Sequence, residues 1–179
     1  MKRILLGIAA VISVVVIVVL ALALGQPDEF KVERQIAIAA PPTAIYANLD
    51  DFHRWAAWSP WEKIEPSMKK TYSGPASGTG AKYAWEGKQV GSGNMAVTES
   101  KPNEHIQIRL EFTKPFAAVN TTVFQLEPRA ADTKVSWVMT GQNNFVSKIM
   151  CVFASMDSMI GKDFEAGLSS LKQVSESGH

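Results

Sequence analysis

The chain opens with a long apolar segment, and shorter periodic patterns follow it. Residues 4–24 carry no charge, and Ser13 is their only polar side chain. As a helix this segment spans roughly 32 Å, which matches the hydrocarbon core of a bilayer. Its many Val and Ile residues would suit a strand in water, but lipid forces every backbone group to pair within the segment. The pattern therefore predicts one transmembrane helix.

A cleaved signal peptide is the alternative reading of the same segment. Lys2 and Arg3 form a basic start, and the Ala-Leu-Ala sequence at 21–23 resembles a cleavage site. The apolar run is longer than the roughly 7–15 residues of a signal-peptide core, which favours an anchor. The basic pair before the helix and Asp28 and Glu29 after it predict a cytoplasmic N-terminus. We therefore expect a single-pass protein of a bacterial inner membrane with its domain on the periplasmic side.

Alternating apolar and polar positions begin after a polar linker at residues 26–29. Val32, Ile36 and Ile38 fall on one side of the stretch 30–38, which predicts a half-buried strand. From residue 69 onward the same two-residue period predicts six more strands, joined by turns rich in Gly and Pro. These strands cover residues 69–73, 81–86, 94–100, 105–113, 120–127 and 133–141. Their short connections predict antiparallel pairing.

Helical patterns lie before and after the six-strand region. Pro41-Pro42 opens a helix over 43–49, and residues 145–153 form a second helical piece. The longest helix is predicted near the C-terminus, because a 3.6-residue period there gives one apolar stripe. The stripe comprises Met156, Ile160, Phe164, Leu168 and Leu171. The order of elements predicts an α+β fold in which a curved antiparallel sheet wraps one terminal helix.

Two sequence stretches give this pattern a family resemblance. The Trp-Ser-Pro-Trp sequence at 58–61 and the Met-Ile-Gly-Lys-Asp-Phe-Glu sequence at 159–165 carry it most specifically. Over residues 30–172 the chain resembles the polyketide cyclase/dehydrase and lipid-transport branch of the START-like (SRPBCC) superfamily. The resemblance implies a helix-grip fold whose sheet and long helix enclose an apolar cavity. It does not fix an activity, because one fold hosts carriers and enzymes alike.

The chain is accordingly divided into four parts. Residues 1–25 form the anchor, 26–29 the linker, 30–175 the helix-grip domain and 176–179 a tail. Beyond the anchor, 16 basic residues face 17 acidic ones, so the domain is nearly neutral. A neutral domain lacks the electrostatic attraction on which nucleic-acid binding depends. We therefore expect the membrane, and no nucleic acid, as a partner.

Titratable residues offer little chemistry. Cys151 is the only cysteine, which excludes an intramolecular disulfide and a cysteine-based zinc site, and we interpret it as a small buried hydrophobe. His53 follows an acidic helix end, but nothing positions a nucleophile for it. Arg34 and Glu86 could each place a charge at a cavity mouth, although an outward ion pair is the commoner arrangement. We predict no catalytic residue, no metal and no cofactor.

The inward-facing positions of the predicted strands and terminal helix are almost entirely apolar. From this pattern alone a filled core is favoured, whereas the resemblance favours a cavity lined by adaptable side chains. Trp55 and Trp61 fall three residues before and after Trp58, so the three form either a structural lid or an aromatic rim. The predicted ligand-binding residues are Trp58, Tyr83, Trp85, Met95, Trp137, Met139, Met156 and Phe164.

These observations favour a non-enzymatic domain that binds a hydrophobic small molecule or a lipid beside a membrane. An enzyme resembling polyketide cyclases or dehydratases is the first alternative. It would require two titratable groups that converge on the cavity with perturbed pKa values. An envelope interaction or stress protein without a ligand is the second.

Overall fold

The computed structural model describes residues 2–177 and contains five α-helices and seven strands in that range. The helices are α1 (Lys2–Leu24), α2 (Pro42–Asp50), α3 (Pro60–Ile64), α4 (Phe145–Phe153) and α5 (Met156–Glu176). The strands are β1 (Glu29–Ile38), β2 (Lys69–Ser73), β3 (Lys82–Glu86), β4 (Ser92–Lys101), β5 (His105–Lys114), β6 (Ala118–Pro128) and β7 (Thr133–Gln142). Each predicted strand is present, with ends within two residues of the prediction.

The strands form one antiparallel sheet in the order β1-β7-β6-β5-β4-β3-β2. Strands β2 to β7 follow one another as a meander, because short turns can join only neighbouring antiparallel strands. The first strand instead pairs with the last, so Val32 lies opposite Met139. The segment with α2 and α3 therefore carries the chain from one edge of the sheet to the other.

Helix α5 packs across the inner face of this sheet, as the helix-grip prediction requires. Phe164, Leu168 and Leu171 of its apolar stripe are fully or almost fully buried. Gly167 lets the helix approach closely, since a Cβ at this position would lie 2.8 Å from Cζ3 of Trp137. The inner face and the stripe of α5 thus share one core.

Helix α1 extends away from this core. It is the one helix in residues 2–177 that is long and apolar enough to cross a membrane, and a signal sequence meets the same criteria. Its side chains are exposed apart from Ala23, which is buried, and Val19, which is half-buried. The last turns of α1 pack against α4. The apolar surface of α1 therefore has no cover except at its C-terminal end.

Two local features differ from the sequence predictions. Pro60 begins the short helix α3, which the sequence pattern did not predict; proline is tolerated in a first helical turn because its missing N–H needs no partner there. The residues before it, Phe52–Ala57, form a 3₁₀ helix. Of the predicted tail, Glu176 ends α5 and Ser177 follows as a turn, while residues 178–179 lie outside the described range.

The charged residues singled out in the sequence lie outside the core. Arg34 reaches α5, where its guanidinium donates hydrogen bonds of 2.7 Å to both Asp157 and Glu165. Glu86 is exposed, and His53 stacks on Tyr72 with ring centroids 4.0 Å apart. Arg34 therefore forms a surface ion-pair contact between β1 and α5.

Candidate ligand-binding site

A cavity of about 300 Å³ lies between the inner face of the sheet and the first turns of α5. Its wall comes from strands β3 to β7, the segment around α3, the start of α5 and the turn after β3. Most wall side chains are aromatic, aliphatic or methionine. The lining residues are Trp55, Ser59, Trp61, Glu62, Met68, Tyr83, Trp85, Val90, Met95, Leu110, Phe112, Ala118, Asn120, Thr122, Trp137, Met139, Met156 and Ile160.

Six of the eight predicted ligand-binding residues stand on this wall. They are Tyr83, Trp85, Met95, Trp137, Met139 and Met156. Five of them come from strands, where alternate side chains point to the same face. Because Trp85 lies opposite Gly93 and Tyr83 lies opposite Met95, the register of two strands brings these side chains together. The two-residue period of the strands was therefore sufficient to predict that these side chains lie together on the inner face of the sheet.

The other two predicted residues, Trp58 and Phe164, do not line the cavity. Both have no exposed surface. The ring of Phe164 stacks on Trp137 with centroids 4.0 Å apart, and the Trp58 ring meets Trp137 edge to face at 5.7 Å. Each therefore lies behind the wall and supports it. The sequence pattern indicates that a side chain points inward. It does not reveal that the ring of another residue stands between that side chain and the cavity.

The three tryptophans of the Trp-rich segment separate into different roles. Trp55 and Trp61 line the cavity, whereas Trp58 belongs to the core. The buried indole N–H groups are satisfied by the backbone: Trp55 donates to the carbonyl of Leu49 and Trp58 to that of Asn48, each at 3.0 Å. The 3₁₀ helix and the separate α3 prevent the three rings from forming one continuous edge.

One polar group on the wall makes no hydrogen bond. Asn120 is 6% exposed, and its side-chain Oδ1 is buried without a partner among the described residues. The amide lies against Gly141, where a Cβ would collide with it. Two positions further along the strand, Thr122 accepts a 3.3 Å hydrogen bond from the indole of Trp137. Asn120 therefore brings to the wall a side-chain amide whose oxygen has no partner among the described residues and is turned toward Gly141.

The sequence contains a signal for the inward position of Asn120. In β6 the inward positions Phe124 and Leu126 are buried, and the same parity continues to Thr122 and Asn120. Residues 120–122 of this strand are polar on both faces, so their orientation follows only by extension from the apolar end of the strand. Extending that parity would have identified Asn120 as an inward polar group.

A buried carboxylate, that of Glu62, forms another part of the wall. The hydroxyl of Tyr83 donates a 2.7 Å hydrogen bond to Oε1 of Glu62, and the ammonium of Lys70 pairs with Oε2. Burial, and then the hydrogen bond to Glu62, raise the pKa of Tyr83 far above its ordinary value. The phenol therefore stays protonated as a donor. Both oxygens of Glu62 are already engaged, so this carboxylate is not a free general base.

Six wall residues are half-buried. Trp61 and Ile160 lie within α3 and α5, whereas the other four lie at or near turns, where the cavity opens. Val90 follows β3, Phe112 and Ala118 flank the turn between β5 and β6, and Met156 begins α5. We call these four residues the rim. They lie on three neighbouring chain segments, so the opening faces one end of the sheet.

A carboxylate holds the first rim segment in place. Glu65 accepts backbone N–H bonds from Lys88 at 2.9 Å, Gln89 at 2.8 Å and Val90 at 3.3 Å. These three donors lower the pKa of Glu65. Gly91 follows with φ +68°, and a Cβ there would collide with the carbonyl of Lys114. The turn after β3 therefore packs directly on the turn after β5.

The comparisons with known proteins agree with this architecture. Residues 29–176 match the family model described as "Polyketide cyclase / dehydrase and lipid transport". The chain belongs to this family. No curated protein matches it significantly.

Several solved structures share the fold. A protein from Chromobacterium violaceum is 17% identical, with a TM-score of 0.59 over 84% of this chain and 99% of that one. A protein from Thermobifida fusca is 18% identical, with a TM-score of 0.63 over 81% and 92%. The Aha1 dimer from Colwellia psychrerythraea is 22% identical, with a TM-score of 0.54 over 80% and 94%. At these identities the likeness concerns the fold alone.

Proposed function

We propose that this protein is a membrane-anchored helix-grip domain that binds one amphipathic, lipid-like small molecule in its cavity. The observation that carries the proposal is an apolar cavity of about 300 Å³ with a single unpaired amide on its wall. Small-molecule sites are typically apolar pockets of this size or larger, with a few polar groups that fix orientation. The lipid-transport part of the family description supports the same reading.

The position of Asn120 determines the expected orientation of the ligand in the cavity. Asn120 lies two residues along β6 from Ala118 of the rim, which is about 7 Å along a strand. The wall beyond it is formed by Thr122 and the ring of Trp137. A ligand would therefore place its polar group near the opening, bonded to Asn120, and its apolar body in the interior. Pairing this amide removes the cost of a buried polar group without a partner.

The anchor restricts where the ligand comes from. In this proposal α1 spans the membrane within residues 1–25, residues 26–29 connect it and the domain begins at residue 30 on the periplasmic side. A four-residue linker reaches at most roughly 14 Å. The domain would therefore exchange its ligand with the membrane that holds it.

The geometry supports binding better than catalysis. A cyclase or dehydratase needs a group that accepts a proton from the substrate within hydrogen-bond reach. Among the residues that line the cavity, Glu62 is the one carboxylate, and Tyr83 and Lys70 occupy its two oxygens. Glu62 and Tyr83 therefore satisfy each other instead of presenting an acid and a base to a substrate.

Native mass spectrometry of the full chain in lipid nanodiscs tests the proposal. We expect a bound small molecule in the wild type, its loss in Ala118→Trp, which blocks the rim, and its retention in Val119→Trp. Val119 is the matched control because it is the next residue and is exposed on the other face. A wild type without bound molecule would overturn the proposal. So would equal occupancy of both variants at unchanged melting temperature, because the molecule would then be a lipid bound to α1.

A further inference from the structure

Helix α4 exposes an unusual apolar face beside the cavity opening. Phe145, Val146, Met150 and Phe153 are all exposed, with Phe153 at 75%. At 100° per residue these four side chains project from one side of the helix. The opposite side carries half-buried residues, among them Lys148 and Cys151. A soluble domain rarely leaves every outward position of a helix apolar, so this face is suited to an apolar surrounding.

A third exposed aromatic residue lies near the N-terminus of this helix. Phe116, at the tip of the turn between β5 and β6, is 54% exposed. The amide of Asn144, which also caps the N-terminus of α4, donates a 3.3 Å hydrogen bond to the carbonyl of the next residue, Ala117. We call Phe116 together with the four exposed residues of α4 the interfacial face.

The linker that follows the anchor is fixed to the same helix. Asn143, just before α4, donates from its backbone to the carbonyl of Asp28 at 2.7 Å and from its side chain to that of Pro27 at 3.0 Å. Lys148 forms a 2.5 Å ion pair with Asp28 and lowers the pKa of that carboxyl. The linker is therefore not a free tether, and the position of α1 determines that of α4.

The contact between α1 and α4 determines how deep α4 lies relative to the membrane. The sheltered positions of α1 are Val19 and Ala23, and Val19 lies about 7.5 Å before the end of the helix at Leu24. When α1 spans a bilayer, its last two turns lie at the boundary between acyl chains and headgroups. Interfacial helices bury their apolar faces about 5–10 Å deep in that boundary. The contact with α1 places α4 at the same level.

We infer that the interfacial face inserts into the bilayer that holds α1 and seats the cavity opening on the membrane. The rim residues Ala118 and Met156 lie two and three residues from Phe116 and Phe153, so the face borders the opening. A lipid molecule would then enter the cavity from the bilayer without crossing water. This inference rests on the membrane anchoring proposed above.

Lipid-dependent quenching tests this inference on the full chain. In a Cys151→Ser background, single cysteines at Met150, Ile64 or Val15 would carry a polarity-sensitive fluorophore. The protein is reconstituted in phosphatidylcholine vesicles that contain spin-labelled phosphatidylcholine. Ile64 is the matched control, since it is 48% exposed against 44% for Met150 and lies on α3. Lys63 beside it contacts Ser170, about 21 Å along α5 from Met156.

We expect the Val15 and Met150 labels to be quenched several-fold more strongly than the Ile64 label. Strong quenching at Val15 with equal, weak quenching at Met150 and Ile64 would overturn the inference and leave the anchor intact. Weak quenching at all three sites would overturn the anchor as well. A Met150 label that loses contact with water but is not quenched would indicate a protein partner, such as a second copy, and would also overturn the inference.

A matched pair of charge variants gives a functional readout. Met150→Glu places a charge in the proposed membrane contact, whereas Ile64→Glu makes the same change at the control position. We expect Met150→Glu to slow the uptake of a fluorescent fatty acid from phosphatidylcholine vesicles several-fold and Ile64→Glu to leave it unchanged. Equal rates in both variants at unchanged melting temperatures would contradict the inference.

Discussion

The two ends of the cavity are built differently. At the closed end, Trp58, Phe124, Trp137 and Phe164 interlock with ring centroids 4.0–5.8 Å apart, and none is more than 2% exposed. At the open end, the rim residues are half-buried and belong to the turn after β3, to the neighbouring ends of β5 and β6, or to the start of α5. Close packing contributes stability, whereas access requires side chains that are not fully enclosed. The comparison separates residues that hold the fold from those that admit a ligand.

Removing a ring from the closed end should have the largest effect. Phe164→Ala deletes a fully buried ring stacked on Trp137 and should lower the free energy of unfolding by about 3–5 kcal/mol. Met156→Ala at the open end should cost about 1 kcal/mol or less, since its side chain is only half-buried. Denaturant titration of both variants in the same detergent measures the difference. Equal losses would contradict the division between the two ends.

Asn120→Leu should act in opposite directions on stability and binding. Leu has a similar size and removes a buried acceptor without a partner, whose burial costs about 1–3 kcal/mol. We expect a higher melting temperature without ligand and weaker binding of a fatty acid, because the polar anchor is lost. Calorimetry and a fluorescent fatty-acid titration measure the two quantities. A variant that is less stable and binds equally well would show that Asn120 has a structural role.

Acid should loosen the rim through Glu65. Its folded pKa lies below the ordinary value of 4.5, so its contribution to stability is complete above that value and is lost as pH falls toward the folded pKa. Glu65→Gln cannot carry the charge. The amide protection factors of residues 88–90 in this variant should therefore be lower than in the wild type at pH 7 and less sensitive to acid. Hydrogen exchange of the full chain measures this. Wild-type protection factors that do not change with acid at residues 88–90 would contradict the role of Glu65.

Of these variants, Asp157→Asn should change the stability of the fold least. Arg34 keeps its second partner, Glu165, and the Asp157 side chain is 54% exposed, so solvent already screens the lost ion pair. Thermal unfolding should shift only slightly, and far less than in Phe164→Ala. A loss comparable to that of Phe164→Ala would mean that Arg34, and not the aromatic cluster, holds α5 to the sheet.

The regular parts of this molecule follow from sequence periodicity, and its site follows only in part. The alternation in β3 and β7 was enough to place Tyr83 and Trp137 on the inner face, because a strand has a fixed period of two. Trp58 was misplaced relative to the cavity, since depth in a core depends on which rings stack in front. Glu62 of α3 gave no sequence signal, because its burial depends on Tyr83 and Lys70, which lie on β3 and β2.

The central claim is that the cavity holds a lipid-like molecule, and the protein's own tryptophans can test it. All five tryptophans line the cavity or lie directly behind its wall. A brominated medium-chain fatty acid, which quenches tryptophan on contact, should therefore quench the full chain in nanodiscs saturably at one molecule per protein, and the unbrominated acid should reverse it. Quenching that is absent, or that rises without saturation and resists competition, would contradict the account.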